Sequence, residues 1–158
     1  IYSFEPEYSN LDQLKKNIII NKIKNINTFS IAFSENTGIS YLNLQDLTPG
    51  SALHTESPAN ISKTLSSRDV IYKEGISTYK IDDFVNLTNI IPNLIKIDVD
   101  GNEINVLKGA MNTLKNPKLR SIILEIDFKE KENEIKEILY SSDFIDSYNF
   151  CSPMLCFL

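Results

Sequence analysis

With 158 residues, 42% of them hydrophobic, the chain is long enough to bury a core and reads as a single domain, 1–158. Its net charge of −5 comes without a basic cluster, which argues against nucleic acid or an anionic membrane as partner. No apolar run approaches the roughly 20 residues that span a bilayer. Ile1 to Phe4 reads as a buried strand, stopped by Glu5 and Pro6. Ser9 or Asn10 is placed to cap a helix reaching about Lys22, with Leu11, Leu14 and Ile18 as its apolar stripe. Asn27 to Phe33 reads as a second strand and Ser34 to Gly38 as a turn. Ile39 to Leu44 alternates, with Tyr41 on one face and Leu42 and Leu44 on the other, as a half-exposed strand does.

The stretch from Gln45 to Arg68 is polar, lacks periodicity and contains His54. Such a long irregular segment is expected to be a functional loop. Asp69 to Tyr79 returns to a strand pattern, and Lys80 to Leu87 fits a short helix around Asp82 and Asp83. Asn93 to Asp98 reads as a buried strand. Glu103 to Leu114 reads as a helix with the stripe Ile104, Leu107, Met111 and Leu114, ended by Pro117. Arg120 to Ile126 is a further apolar strand, with Glu125 and Asp127 at its end. Lys129 to Ser141 is a charged helix with Ile135, Ile138 and Leu139 inward. Phe144 to Phe150 and Met154 to Leu158 read as a closing antiparallel pair. Strands alternating with helices predict an α/β fold with a doubly wound, mostly parallel sheet.

The densest chemistry lies in Lys96-Ile97-Asp98-Val99-Asp100-Gly101-Asn102-Glu103. An apolar strand there delivers carboxylates to a turn at its C-terminal end, the edge where open α/β sheets bind ligands. The spacing does not fit a calcium loop, because glycine falls fourth and not sixth, and Gly109 stands where the closing glutamate would be. Helix capping by Asp100 or Asn102 is compatible with a functional role for the other acids. Lys96 sits inside an apolar strand. It needs a carboxylate partner among Asp98, Glu103 and Glu125, or else it orients a substrate or an acid. Glu5, at the end of the first strand, suits either the two hydroxyls of a ribose or the start of a helix. Cys151 and Cys156 are not spaced as a CxxC and His54 is far from them, so no metal site is expected. Two ordinary thiols are expected, and with them a reducing, cytoplasmic setting.

These segments together resemble the FkbM family of S-adenosylmethionine-dependent methyltransferases. The family carries a strand followed by Phe-Glu-Pro, as at Phe4, Glu5 and Pro6. It also carries a threonine-leucine-aspartate-aspartate-phenylalanine segment, similar to Thr78, Tyr79, Ile81, Asp82, Asp83 and Phe84. Its lysine-isoleucine-aspartate, valine, acid, glycine, any residue, glutamate pattern is met by Lys96, Ile97, Asp98, Val99, Asp100, Gly101 and Glu103. Asp100 stands where glutamate is commoner, a shorter acid. The pieces run in the family's order from about Ile1 to Asp127.

The resemblance implies a Rossmann-like fold of the class I methyltransferase type, S-adenosyl-L-methionine as cofactor, and O-methylation of a sugar or other natural-product hydroxyl. It implies a small-molecule or glycan acceptor as partner, with acceptor choice in the Gln45 to Arg68 loop. Glu5, with Pro6 behind it, would hold the ribose. Ala32 and Phe33 would lie by the adenine, unless Phe33 is simply core. Asp98 would sit beside the methionine part or the acceptor, and Glu103, Glu125 or His54 would help with the proton. The family's first strand and glycine-rich turn have no counterpart, and the five glycines form no cluster. This raises the expectation that the chain is the C-terminal part of a longer domain, incomplete at its N-terminus. Two rival readings stand beside it. A non-catalytic Rossmann-like binding domain would keep only the fold. An NAD-dependent oxidoreductase fragment would also use Glu5, but none of the seven tyrosines has a lysine four residues on.

Overall fold

Pairing divides the chain into two compact units, Ile1–Ala32 with Gly38–Thr78 and Phe33–Thr37 with Tyr79–Leu158. They are seen in a computed structural model that describes residues 1–44, 55–58, 70–126, 129–149 and 154–158.

In the first unit, β1 (Tyr2–Phe4) pairs in parallel with β2 (Asn27–Phe29) through α1 (Tyr8–Ile20). The rings of Phe4 and Phe29 stack at 5.3 Å across the pair. The strand is not the buried one expected: Tyr2 is exposed, and Ser3 and Phe4 are half-buried. A two-stranded sheet leaves β1 with one neighbour, so its far edge stays open among the described residues. The α1 stripe is as read, with Leu11 buried and Leu14 and Ile18 half-buried. Its cap is Glu7 and not Ser9 or Asn10. The Glu7 carboxylate accepts the Ser9 and Asn10 amides at 2.8 and 2.6 Å, satisfying donors that the helix leaves open.

The single strand expected over Asn27 to Phe33 breaks after Phe29 and resumes as β3 (Ala32–Phe33), because the two pieces join different sheets. The second sheet runs β3-β6-β4-β5, where β4 is Gly38–Leu44, β5 is Thr55–Pro58 and β6 is Tyr72–Tyr79. β4 lies antiparallel to both neighbours, with Tyr41 opposite Gly75 on β6 and Ser57 on β5. As its alternation predicts, Leu42 and Leu44 are buried with Ile76, half-buried Ala32 packs against them, and Ile39 and Tyr41 face out. The polar stretch after Leu44 is not irregular throughout, since β5 lies within it. A Thr-Glu-Ser-Pro strand carries no apolar signal; its ladder with β4 makes it a strand, and Pro58 is tolerated at the sheet edge.

The second unit is a four-stranded sheet, ordered β7-β8-β10-β9, with its helices. β7 (Leu94–Ile97) and β8 (Ser121–Glu125) are parallel; β10 (Met154–Phe157) is antiparallel to β8 and to β9 (Asp146–Asn149), the closing pair expected. α5 (Glu132–Tyr140), entered through a 3₁₀ turn at Lys129–Lys131, packs Ile135 and Leu139 into a core shared with Leu107, Ile122, Leu124 and Phe157.

Two expectations change here. β7 buries only Ile97, while Leu94 is 55% exposed, because β7 is the sheet's edge strand within this unit. The helix expected over Glu103 to Leu114 is two, α3 (Glu103–Lys108) and α4 (Met111–Leu114). The break has an identifiable cause. α2 (Ile81–Thr88) carries in its first turn Asp82, whose carboxylate accepts the amides of Asn112 and Thr113 at 2.9 and 2.7 Å and the Thr113 hydroxyl at 2.7 Å. A side chain that claims those amides starts a new helix there. Gly109, at the junction, lets the backbone come close: a Cβ there would stand 2.2 Å from the Ser34 carbonyl oxygen. The buried set shifts with the break, to Val106, Leu107, Ala110 and Leu114, leaving Ile104 and Met111 half-buried.

Candidate active site

The acidic turn between β7 and α3 is built by its own backbone. Gly101 takes φ 85°, a left-handed conformation that favours glycine. Its amide donates to the Val99 carbonyl at 2.7 Å and to Glu103 Oε1 at 2.9 Å, and its carbonyl accepts Lys131 Nζ. Glu103 is therefore a fully buried acid at the start of α3 that bonds the turn it follows. Asn102 occupies the cap position, but its side chain does not cap. Its Nδ2 reaches the Phe33 carbonyl at 3.4 Å, and its Oδ1 accepts Asn105 at 2.7 Å.

Asp98 is exposed and ion-paired with Lys96, two residues back on the same face of β7. Among the three candidate partners of Lys96, Asp98 is thus a partner. The β7–β8 ladder ends with Ile97 opposite Leu124, which makes Asp98 and Glu125 the next residues of two neighbouring parallel strands. Glu125 is half-buried at that edge. The second unit so brings Asp98, Glu103 and Glu125 to one end of its parallel pair and ties Phe33 to the same turn through Asn102. The Phe33 ring meets Phe84 edge-on at 5.7 Å and packs against the core.

The other candidates belong to the first unit. Glu5 closes β1, with its amide donating to the Phe29 carbonyl at 3.1 Å and its Oε1 accepting the Glu7 amide at 2.9 Å. Pro6 is half-buried beside it, and Ala32 packs on Leu42, Leu44 and Ile76. His54, Asp127 and Cys151 lie outside the described residues.

Sequence reasoning missed Lys131, and it read Asn102 as a helix cap and not as a tie to the Phe33 carbonyl. The only sequence signal for Asn102 was its place between the glycine and glutamate of the turn, and Lys131 had none. A pocket of about 290 Å³ bounded by Leu114, Pro117, Arg120 and Phe144 lies at the start of β8, whereas the acidic turn faces its C-terminal end. A hydrogen bond to Asp146 raises the Tyr140 phenol above its usual value, and one to Glu132 raises Lys136. Among the described residues no helix is long and apolar enough to cross a membrane.

Comparison with known proteins bears on the same residues. The family model of the methyltransferase FkbM domain matches residues 1–150. No curated protein matches the chain. Among solved structures, the methyltransferase FkbM from Methylobacillus flagellatus KT superposes with a TM-score of 0.63 at 19% identity, covering 99% of this chain. At that identity the likeness shows a shared α/β, Rossmann-like fold. The chain spans 36% of that protein's length.

Proposed function

This chain belongs to the FkbM methyltransferase domain family, and we propose that it serves an S-adenosylmethionine-dependent O-methyltransferase acting on a hydroxyl of a sugar or another small natural product. The observation that carries this reading is the acidic turn at the C-terminal edge of the parallel β7–β8 pair, where open α/β sheets take their ligands. Each unit offers a carboxylate acceptor that suits part of the cofactor. Glu5 offers a half-buried carboxylate at a strand end, and a carboxylate accepts from several donors at once, as two ribose hydroxyls require. Asp98 offers an exposed carboxylate suited to the methionine ammonium or to the acceptor.

When bound, S-adenosylmethionine supplies a methyl group on a sulfonium, and this is the hard chemistry. The chain's residues bind, orient and move a proton. Glu125, half-buried at the strand end next to that of Asp98, would take the proton from an acceptor hydroxyl, a role for which Glu103 and His54 are the other candidates. Glu103 holds the turn through Gly101, which favours a positioning part for it over a proton-transfer part.

Ligand protection tests the reading. Saturating S-adenosylhomocysteine is expected to raise the melting temperature of the full chain, since a ligand at 100 times its Kd adds about 2.7 kcal/mol of stability. NAD is expected to leave it unchanged. Protection by NAD instead would favour the oxidoreductase reading, and a response to neither would favour a binding domain that kept the fold.

A further inference from the structure

We propose that Lys131 is a positioning residue that sets the geometry of the acidic turn from the far side of the β8–α5 connection. Its relevance to ligand binding rests on the functional reading above; its action on the turn does not. Lys131 ends the 3₁₀ turn that leads into α5, and α5 is anchored by Ile135 and Leu139, both at 0% exposure. From that fixed base the half-buried lysine donates to the Gly101 carbonyl. A hydrogen bond from a charged donor is about twice as strong as a neutral one.

The position of that bond matters more than its strength. The Gly101 amide is already committed to Val99 and Glu103, so with Lys131 on its carbonyl both peptide groups around Gly101 are held. Those peptides join the stretch carrying Asp98 and Asp100 to the start of α3, and a left-handed glycine without such restraints samples many conformations. A second tie between α3 and α5 serves as an internal comparison. Lys108 Nζ meets Glu134 Oε1 at 2.9 Å, but with side chains 45% and 50% exposed. Exposed pairs of this kind contribute little, and this one lies beyond the turn.

The test compares wild type, Lys131→Met, Lys131→Arg and Lys108→Met in the full chain by hydrogen–deuterium exchange over residues 98–104, S-adenosylhomocysteine titration and melting temperature. Lys131→Met is expected to speed exchange in the turn and weaken binding about tenfold while leaving the melting temperature near wild type. Lys131→Arg is expected to restore both, and Lys108→Met to change neither. Unchanged turn exchange in Lys131→Met overturns the proposal. So does wild-type affinity in that variant, with the methyltransferase reading left intact. If wild type binds no S-adenosylhomocysteine, that reading falls instead. Turn exchange alone then decides for Lys131: faster exchange cured by arginine supports it, and wild-type exchange overturns it.

Discussion

Asp82 and Asp98 are both aspartates in family-like segments of the same unit, yet their surroundings assign them opposite work. Asp82 is 9% exposed and its two oxygens accept three donors from Asn112 and Thr113. Asp98 stands at the end of an edge strand, exposed, with Lys96 as an ion-pair partner. A buried acid saturated by backbone amides holds structure, because removing it strands those donors. An exposed acid at a strand end contributes little to stability and remains accessible to a ligand. Residue type and motif membership do not separate the two; burial and partners do.

The comparison can be broken by substitution, starting with the largest expected effect. Asp82→Ala leaves two amides and a hydroxyl unsatisfied and uncaps α4, and should cost about 3 kcal/mol in urea unfolding. A loss near zero would mean that water replaces the carboxylate and that Asp82 is no more structural than Asp98. Gly109→Ala forces backbone apart at the Ser34 carbonyl and should cost about 2 kcal/mol, read as a lower melting temperature. Gly101→Ala places a side chain at φ 85° and should cost about 1 kcal/mol, with S-adenosylhomocysteine affinity falling as well. If Gly101→Ala lowers stability and spares affinity, the turn belongs with Asp82 as structure.

What was legible in the sequence followed from local pattern. The order of strands and helices, the outward Tyr41, the inward Ile135 and Leu139 and the closing β9–β10 pair all rest on periodicity within a few residues. What was missed depends on partners distant along the chain. β5 is a strand because β4 pairs with it, and α3 stops because Asp82, 31 residues before Thr113, takes the amides of the next turn. The Glu7 cap was local but hidden: Ser9 and Asn10, the better capping types, stand beside it and serve as donors. The same division holds at the site. The carboxylates and glycine at the edge of a strand were readable from their spacing. Lys131 and Asn102, which hold that edge, bond carbonyls 30 and 69 residues away, and no spacing rule reaches that far.

The most direct measurement is titration of S-adenosylhomocysteine into wild type and Asp98→Asn, with unfolding followed in parallel. The account predicts that wild type binds, and that the variant keeps its stability within about 0.5 kcal/mol while losing tenfold or more in affinity. Equal binding by the two proteins, or a loss of binding that merely tracks unfolding, would contradict it.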